Sequence, residues 1–380
     1  MTLAPFTEEH QTLRHVVRTF CQKELVPHRH TWENAGIFPR EVFGSFAEMG
    51  FLGMRYPEAY GGSGLDWWHT AAYVEELAHA RNAGVAMAML AQGEIATPCI
   101  AALGTDAQKR EFLVPALAGE RIAALGITEP DAGSDVAAIR TTARRVGNDY
   151  VIDGAKTYIT NGTRADFITL AVRTGEAGHG GLSLLLFPTD TPGFEVSRSL
   201  KKLGNKSSDT ALLFFANCRV PVRYLLGEEN RGFYHIMENF QGERLVAALS
   251  AVGGMRLMWQ DTYRFASERH AFGRPIGQMQ VWRHRLAEMY TQIEAAAELT
   301  YMALDKLNKG ERAVKEISMA KLFAGDLAQR VAYDCLQLHG GCGYMEEYDI
   351  SRSFRDVRLL TIGGGTSEIM KEIIGKSLEP

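Results

Sequence analysis

The sequence is poor in cysteine, in net charge and in long uninterrupted apolar runs, and each shortage removes a class of protein. Its five cysteines (Cys21, Cys99, Cys218, Cys335 and Cys342) are odd in number, scattered and free of any CxxC pair. That argues against a disulfide framework or a thiolate zinc site and for reduced thiols in a cytoplasm. A formal net charge of −4 with no long basic run disfavours nucleic acid and anionic membrane as partners. No apolar segment approaches the roughly 18 residues needed to span a bilayer, so no membrane span is expected. The chain enters a helical pattern by residue 7, which leaves no room for a signal or transit peptide. A GxGxxG turn opening a βαβ unit is missing, so a Rossmann cofactor site is not expected, and neither Ser63 nor Ser183 has a GxSxG frame.

What remains is 380 residues, 46% apolar and 23% charged, the composition of a globular protein with two or three domains. Thr7 suits a helix N-cap, and Leu13, Val16, Val17 and Phe20 recur at helical spacing up to Pro27. Pro39 opens a second helix, and further helical runs follow at about 67–81, 84–103 and 105–120. From Arg121 to about residue 220 the period becomes two, with strands expected at 138–145, 150–159, 167–172, 182–188, 194–199 and 211–218. Such closely spaced short strands predict a barrel or sandwich rather than a parallel sheet. After Pro221 the helical period returns over 233–269, along Trp282–Leu307 and Ile317–Leu338, and over 366–378. The segment 245–255 carries no charge, which predicts burial on every side. The alternating three- and four-residue steps predict an antiparallel four-helix bundle. The fold expected is therefore α+β: an N-terminal helical domain (1–120), a middle β-barrel or sandwich domain (121–228) and a C-terminal four-helix bundle (229–380).

Chemistry concentrates in two turns, LGITEPDAGSD at 125–135 and YITNG at 158–162. Together they offer hydroxyls and exposed backbone N–H groups to a polar, anionic or heteroaromatic ligand. With ERHAFGRPIGQMQ at 268–280, QLHGGCGY at 337–344 and RDVRLLTIGGGTSEI at 355–369, they form a set in order and register. On these motifs the chain resembles the acyl-CoA dehydrogenase family over essentially its whole length, most closely the long-chain and isovaleryl types. The resemblance implies a non-covalent FAD. It places Leu125, Ile127, Thr128, Tyr158 and Thr160 around the flavin and Ser134 between the cofactor phosphates and the CoA moiety. It also places Phe272, Thr366 and Glu368 at the cofactor, and assigns Arg269, Gln280, Gln337 and Gly341 to the cofactor of a neighbouring subunit. A homotetramer, a dimer of dimers, follows from that sharing, as does electron transfer to an electron-transfer flavoprotein.

The family reaction removes the Cα proton of a thioester as a hydride leaves Cβ, giving a trans-2-enoyl-CoA. Many members keep the base directly before the Gly-Thr of the last motif, but here that position is Gly364. The long-chain and isovaleryl types carry it on the bundle before an arginine, and this chain has Phe240-Gln241-Gly242-Glu243-Arg244. Glu243 is thus the expected base, and Gly364 is expected to offer only its backbone N–H to the thioester oxygen. Phe240, Arg244, Gly363, Ser134, Thr97 and Pro98 are expected to contact substrate, with the pocket floor drawn from 84–102. Rival readings are an acyl-CoA or nitroalkane oxidase on the same scaffold, a dehydrogenase of isoprenoid thioesters of the citronellyl type, and a non-catalytic acyl-CoA-binding scaffold. No metal site is expected, since Cys21, His28 and His30 lack a second ligand cluster.

Overall fold

The helices α1 (Glu8–Phe20), α2 (Arg29–Ala35), α3 (Glu41–Glu48) and α4 (Trp67–Glu76) begin the chain. They are followed by α5 (Ala83–Leu90), α6 (Pro98–Leu103), α7 (Asp106–Gln108) and α8 (Val114–Leu117). A computed structural model describes residues 6–378. Asp66 caps α4 by accepting from the N–H groups of Trp68 and His69, each at 3.1 Å. The helix expected over 84–103 is continuous in direction but changes hydrogen-bond period at a π-helical stretch, Ala91–Ala96. This stretch corrects one expectation. Ala83–Leu103 spans 21 residues with a window of mean hydropathy 1.4, long and apolar enough to cross a membrane. Two-thirds of that window (67%) is buried inside the protein, so its apolar character is used in packing.

The middle segment forms strands β1 (Ala123–Gly126), β2 (Thr142–Val146), β3 (Asp149–Thr160), β4 (Phe167–Arg173), β5 (Leu182–Pro188), β6 (Phe194–Ser199), β7 (Thr210–Pro221) and β8 (Leu225–Leu226). Their order is β6-β7-β3-β2-β4-β5-β8, with β1 paired parallel to β4. The barrel or sandwich expectation is therefore corrected to one open, mixed sheet. The 127–141 loop is the cause: it separates β1 from β2 and lets both lie parallel to β4. It also delays the first long strand, so β2 starts at Thr142 rather than 138.

Beyond residue 230 come α9 (Gly232–Glu268), α10 (Gln280–Asn308), α11 (Val314–His339), α12 (Asp349–Asp356) and α13 (Ser367–Leu378). Helices α9, α10 and α11 pack on one another and α13 packs on α11, while α4 lies against α9. That last contact is close. A Cβ on Gly253 would stand 2.2 Å from the Glu75 carbonyl oxygen, so only glycine lets the two helices meet. One hydrophobic core accordingly runs from α1 through α4 into the bundle, and a second fills the sheet and the helices beneath it. The uncharged segment 245–255 is buried on most sides but not all. Ala247, Ser250 and Gly254 remain half-exposed along one line of α9, and that line is a wall of the site.

Candidate active site

Glu243 sits in the fourth turn of α9, and its carboxylate faces the Gly363-Gly364-Gly365 loop. A Cβ built on Gly364 would lie 3.6 Å from Glu243 Oε1, so the two positions approach one space from opposite sides. Gly364 (φ +66°) and Gly365 (φ +100°) both adopt left-handed backbone, which side-chain-bearing residues occupy at a cost. Two cations hold this loop by successive carbonyls. Arg244 Nε donates to Gly364 O at 3.1 Å, and Lys321 Nζ from α11 donates to Gly365 O. Glu243 Oε2 is shut off from solvent and has no hydrogen-bond partner among the described residues. Burial pushes the Glu243 carboxyl up from 4.5 to about 7, against the pull of the neighbouring Arg244 and Lys321 charges. A carboxylate with one free oxygen and a pKa near neutrality is equipped to accept a proton. Arg244 also lies over the Phe240 ring, 5.6 Å from its centroid, so those two residues wall the same space.

The two sequence turns meet, because Thr157 N–H donates to Thr128 O at 2.9 Å. Below them Lys156, fully buried, bonds Ile127 O (2.9 Å) and Glu129 Oε1 (2.8 Å). Glu129 in turn accepts from the N–H groups of Arg140 and Thr141. Pinned from beneath in this way, the turns leave Thr128 and Thr160 half-exposed, Ser134 exposed, and Leu125 and Ile127 behind them. Tyr158 is 70% exposed on left-handed backbone (φ +60°), an aromatic face with nothing packed over it. An uncovered ring beside two threonine hydroxyls suits a flat heteroaromatic such as the flavin of FAD. Thr366 and Glu368 stand at the start of α13, where helix N–H groups favour phosphate oxygens.

Arg269, Phe272, Gln280, Gln337 and Gly341 are exposed together at the far end of the bundle. Arg269 lies 26 residues beyond Glu243, about 39 Å along the helix at 1.5 Å per residue. Phe272 is 94% exposed at a hairpin tip, a large apolar side chain left uncovered by the described residues.

A cavity of about 470 Å³ opens along α9 from Ser250 onward, between α5 and the segment 347–360. Ala86, Met87 and Leu90 line it on one side, Ser250, Gly254 and Leu257 on another. Thr97 and Pro98, expected at this floor, are not among its lining residues. The Thr97 hydroxyl is buried, 2.7 Å from Gln92 O and 2.8 Å from the Tyr56 hydroxyl. Lys321 was not anticipated from the sequence. Its signal was a lysine on the same stripe as Ile317, Ala320 and Ala324. His10, Asp66 and His69, also unanticipated, approach within 4.8 Å of one another far from Glu243 in sequence. There the Thr7 N–H donates to His10 Nδ1, which puts that ring's proton on Nε2 and leaves no lone pair there for a metal.

Three segments match family models of the acyl-CoA dehydrogenases: the N-terminal domain over 7–120, the middle domain over 124–218 and the C-terminal domain over 230–379. The chain belongs to the acyl-CoA dehydrogenase family, whose members are FAD flavoproteins, and is an oxidoreductase acting on CH–CH donors. Among individual relatives it is similar to the mitochondrial long-chain specific acyl-CoA dehydrogenase of Mus musculus, 39% identical over 98% of this chain and 87% of that one. Among solved structures it is similar to a probable acyl CoA dehydrogenase from Mycobacterium abscessus (TM-score 0.96, 45% identity, 98% of this chain and 99% of that one). Butyryl-CoA dehydrogenase from Megasphaera elsdenii is similar too (TM-score 0.94, 34% identity, 98% of each chain).

Proposed function

We propose that this protein is an FAD-dependent dehydrogenase of long-chain fatty acyl-CoA thioesters, with Glu243 as the base. The observation that carries the reading is the buried carboxylate of Glu243 set across from a glycine, its Oε1 3.6 Å from where a Cβ on Gly364 would stand. Ionised Glu243 takes the pro-acidic hydrogen from Cα of the thioester, and desolvation sharpens its basicity at neutral pH. The N–H of Gly364 donates to the thioester oxygen, where negative charge accumulates as the Cα–H bond breaks. Arg244 and Lys321 fix that N–H by holding the carbonyls on its far side. The acyl tail runs along α9 between α5 and Leu359–Leu360 and excludes water from the reacting carbons. FAD, when bound at Thr128, Tyr158 and Thr160, supplies the acceptor for the hydride that leaves Cβ. Ser134 faces the CoA phosphates, and Arg269, Phe272, Gln280, Gln337 and Gly341 serve the cofactor of a second subunit in a homotetramer. Electrons pass on to an electron-transfer flavoprotein in the cytoplasm.

The test is anaerobic mixing of the yellow holoenzyme with hexadecanoyl-CoA. Bleaching of the flavin absorbance, with formation of the trans-2-enoyl product, is expected. Turnover should depend on an added electron-transfer flavoprotein. Rapid peroxide formation in air without that carrier would instead define an oxidase, and a purified protein that binds no flavin would end the proposal.

A further inference from the structure

The cations around the end of β3 that carries Tyr158 and Thr160 are not all neutralised. Lys156 is paired with Glu129 at 2.8 Å, and Arg164 with Asp209 at 3.0 Å. Lys202, by contrast, is bonded only to neutral oxygens among the described residues: Ser208 O at 2.7 Å, Ser208 Oγ at 2.6 Å and Thr210 Oγ1 at 3.0 Å. Those three bonds use all three ammonium hydrogens and fix where the charge sits. Ser208 Oγ donates its own hydrogen to Asn205 O at 2.9 Å, which leaves its lone pairs for the ammonium. The acids nearby are engaged elsewhere. Asp209 accepts from the N–H and hydroxyl of Thr163 and from Arg164, and Asp356 accepts from the Asn205 N–H at 2.7 Å. Desolvation lowers the Lys202 pKa to about 8, opposed by the more distant charges of Asp209, Asp356 and Glu33, so the ammonium is still charged at neutral pH.

The charge lies close to the turn that carries Thr160. Thr210 is the register partner of Thr160 in the antiparallel pair of β3 and β7. Directly opposed residues put their side chains on one face of a sheet, with Cβ atoms about 5 Å apart. An ammonium 3.0 Å from the Thr210 hydroxyl is therefore within roughly 10 Å of the Thr160 side chain.

From this arrangement, and resting on the dehydrogenase reading above, we propose that Lys202 raises the reduction potential of the FAD by holding an unpaired positive charge beside Thr160. Oxidation of the thioester sends a proton to Glu243 and a hydride, with its electron pair, to the cofactor. The hydride brings one negative charge into the space that Thr160 borders, and a fixed cation there favours the reduced cofactor over the oxidised one. Across roughly 10 Å at an effective dielectric of about 20, the attraction corresponds to a preference on the order of tenfold.

The experiment equilibrates the holoenzyme with reference dyes, without acyl-CoA, and reads the midpoint potential of the bound flavin. Lys202→Met should lower it by about 30 mV, the two-electron equivalent of holding reduced FAD tenfold less tightly relative to oxidised FAD. Lys202→Arg keeps the charge and should stay at the wild-type value, which a purely structural role for the side chain does not predict. Should the methionine variant fail to hold flavin, Lys202→Gln, which keeps a donor for Ser208 O, should show the same fall. An unchanged midpoint in the uncharged variants, or an equal fall in Lys202→Arg, overturns this proposal alone. A wild-type protein that holds no flavin ends the dehydrogenase reading and takes this proposal with it.

Discussion

A base kept ready by burial should make the folded protein less stable than it would be without that charge. Glu243→Gln removes the ionisable group and keeps the shape. Burial raises the Glu243 carboxyl from 4.5 to about 7, so between these values the folded protein binds a proton that the unfolded chain has released. Stability conferred by the protonated form is complete below pH 4.5 and is lost as pH rises toward 7. At 1.36 kcal/mol per pH unit the whole cost reaches at most roughly 3 kcal/mol above pH 7. At about 2.1 cal/mol/K per residue, 380 residues give an unfolding entropy near 0.8 kcal/mol/K, so that cost is worth roughly 4 °C in Tm. Melting wild-type and Glu243→Gln holoenzymes at pH 5 and pH 8 reads the effect. The variant should match wild type at pH 5 and melt a few degrees higher at pH 8. A variant that melts lower at pH 8 would refute the reasoning, because it would mean the carboxylate is stabilised in the fold rather than held in reserve.

Three further outcomes follow from the same geometry. Lys321→Met removes a charge that lowers the Glu243 pKa, so the acid limb of the kcat/KM–pH profile should move above pH 7, while Lys321→Arg keeps it in place. Ala86→Phe narrows the channel, and the octanoyl-to-hexadecanoyl ratio of kcat/KM should rise at least roughly tenfold, as overpacking a filled site predicts. Gly364→Glu combined with Glu243→Gln should restore a fraction of the bleaching lost in the single variant. Its Tm should fall by a degree or two, since a side chain at φ +66° costs roughly 1–2 kcal/mol.

The helices were readable because their apolar spacing is sustained: Ile317, Ala320, Ala324, Leu327, Val331 and Leu338 all prove buried on α11. The sheet's topology was not, because alternation marks a half-buried strand and says nothing about which neighbour it takes. The parallel pairing of β1 with β4 depends on the 127–141 loop, whose anchor is the buried pair of Lys156 and Glu129. In the candidate site, motif position singled out Glu243 and Gly364, which the fold sets across one space from each other. Thr97 and Pro98 were placed by sequence proximity to small residues, whereas the cavity wall lies about two to three turns earlier on α5, at Ala86 and Leu90. Lys321 escaped notice because lysine on an apolar stripe reads as a side chain reaching past it to solvent, and its target, Gly365 O, lies 44 residues away.

The central assignment is that the Glu243 carboxylate removes a hydrogen from the α-carbon of the thioester. Incubating holoenzyme and acyl-CoA anaerobically in deuterium oxide, then weighing the recovered thioester, isolates that event from the redox step. Wild type should wash deuterium into the α-position, and Glu243→Gln, with its flavin retained, should leave the thioester unlabelled. Equal labelling by the two proteins would contradict the account.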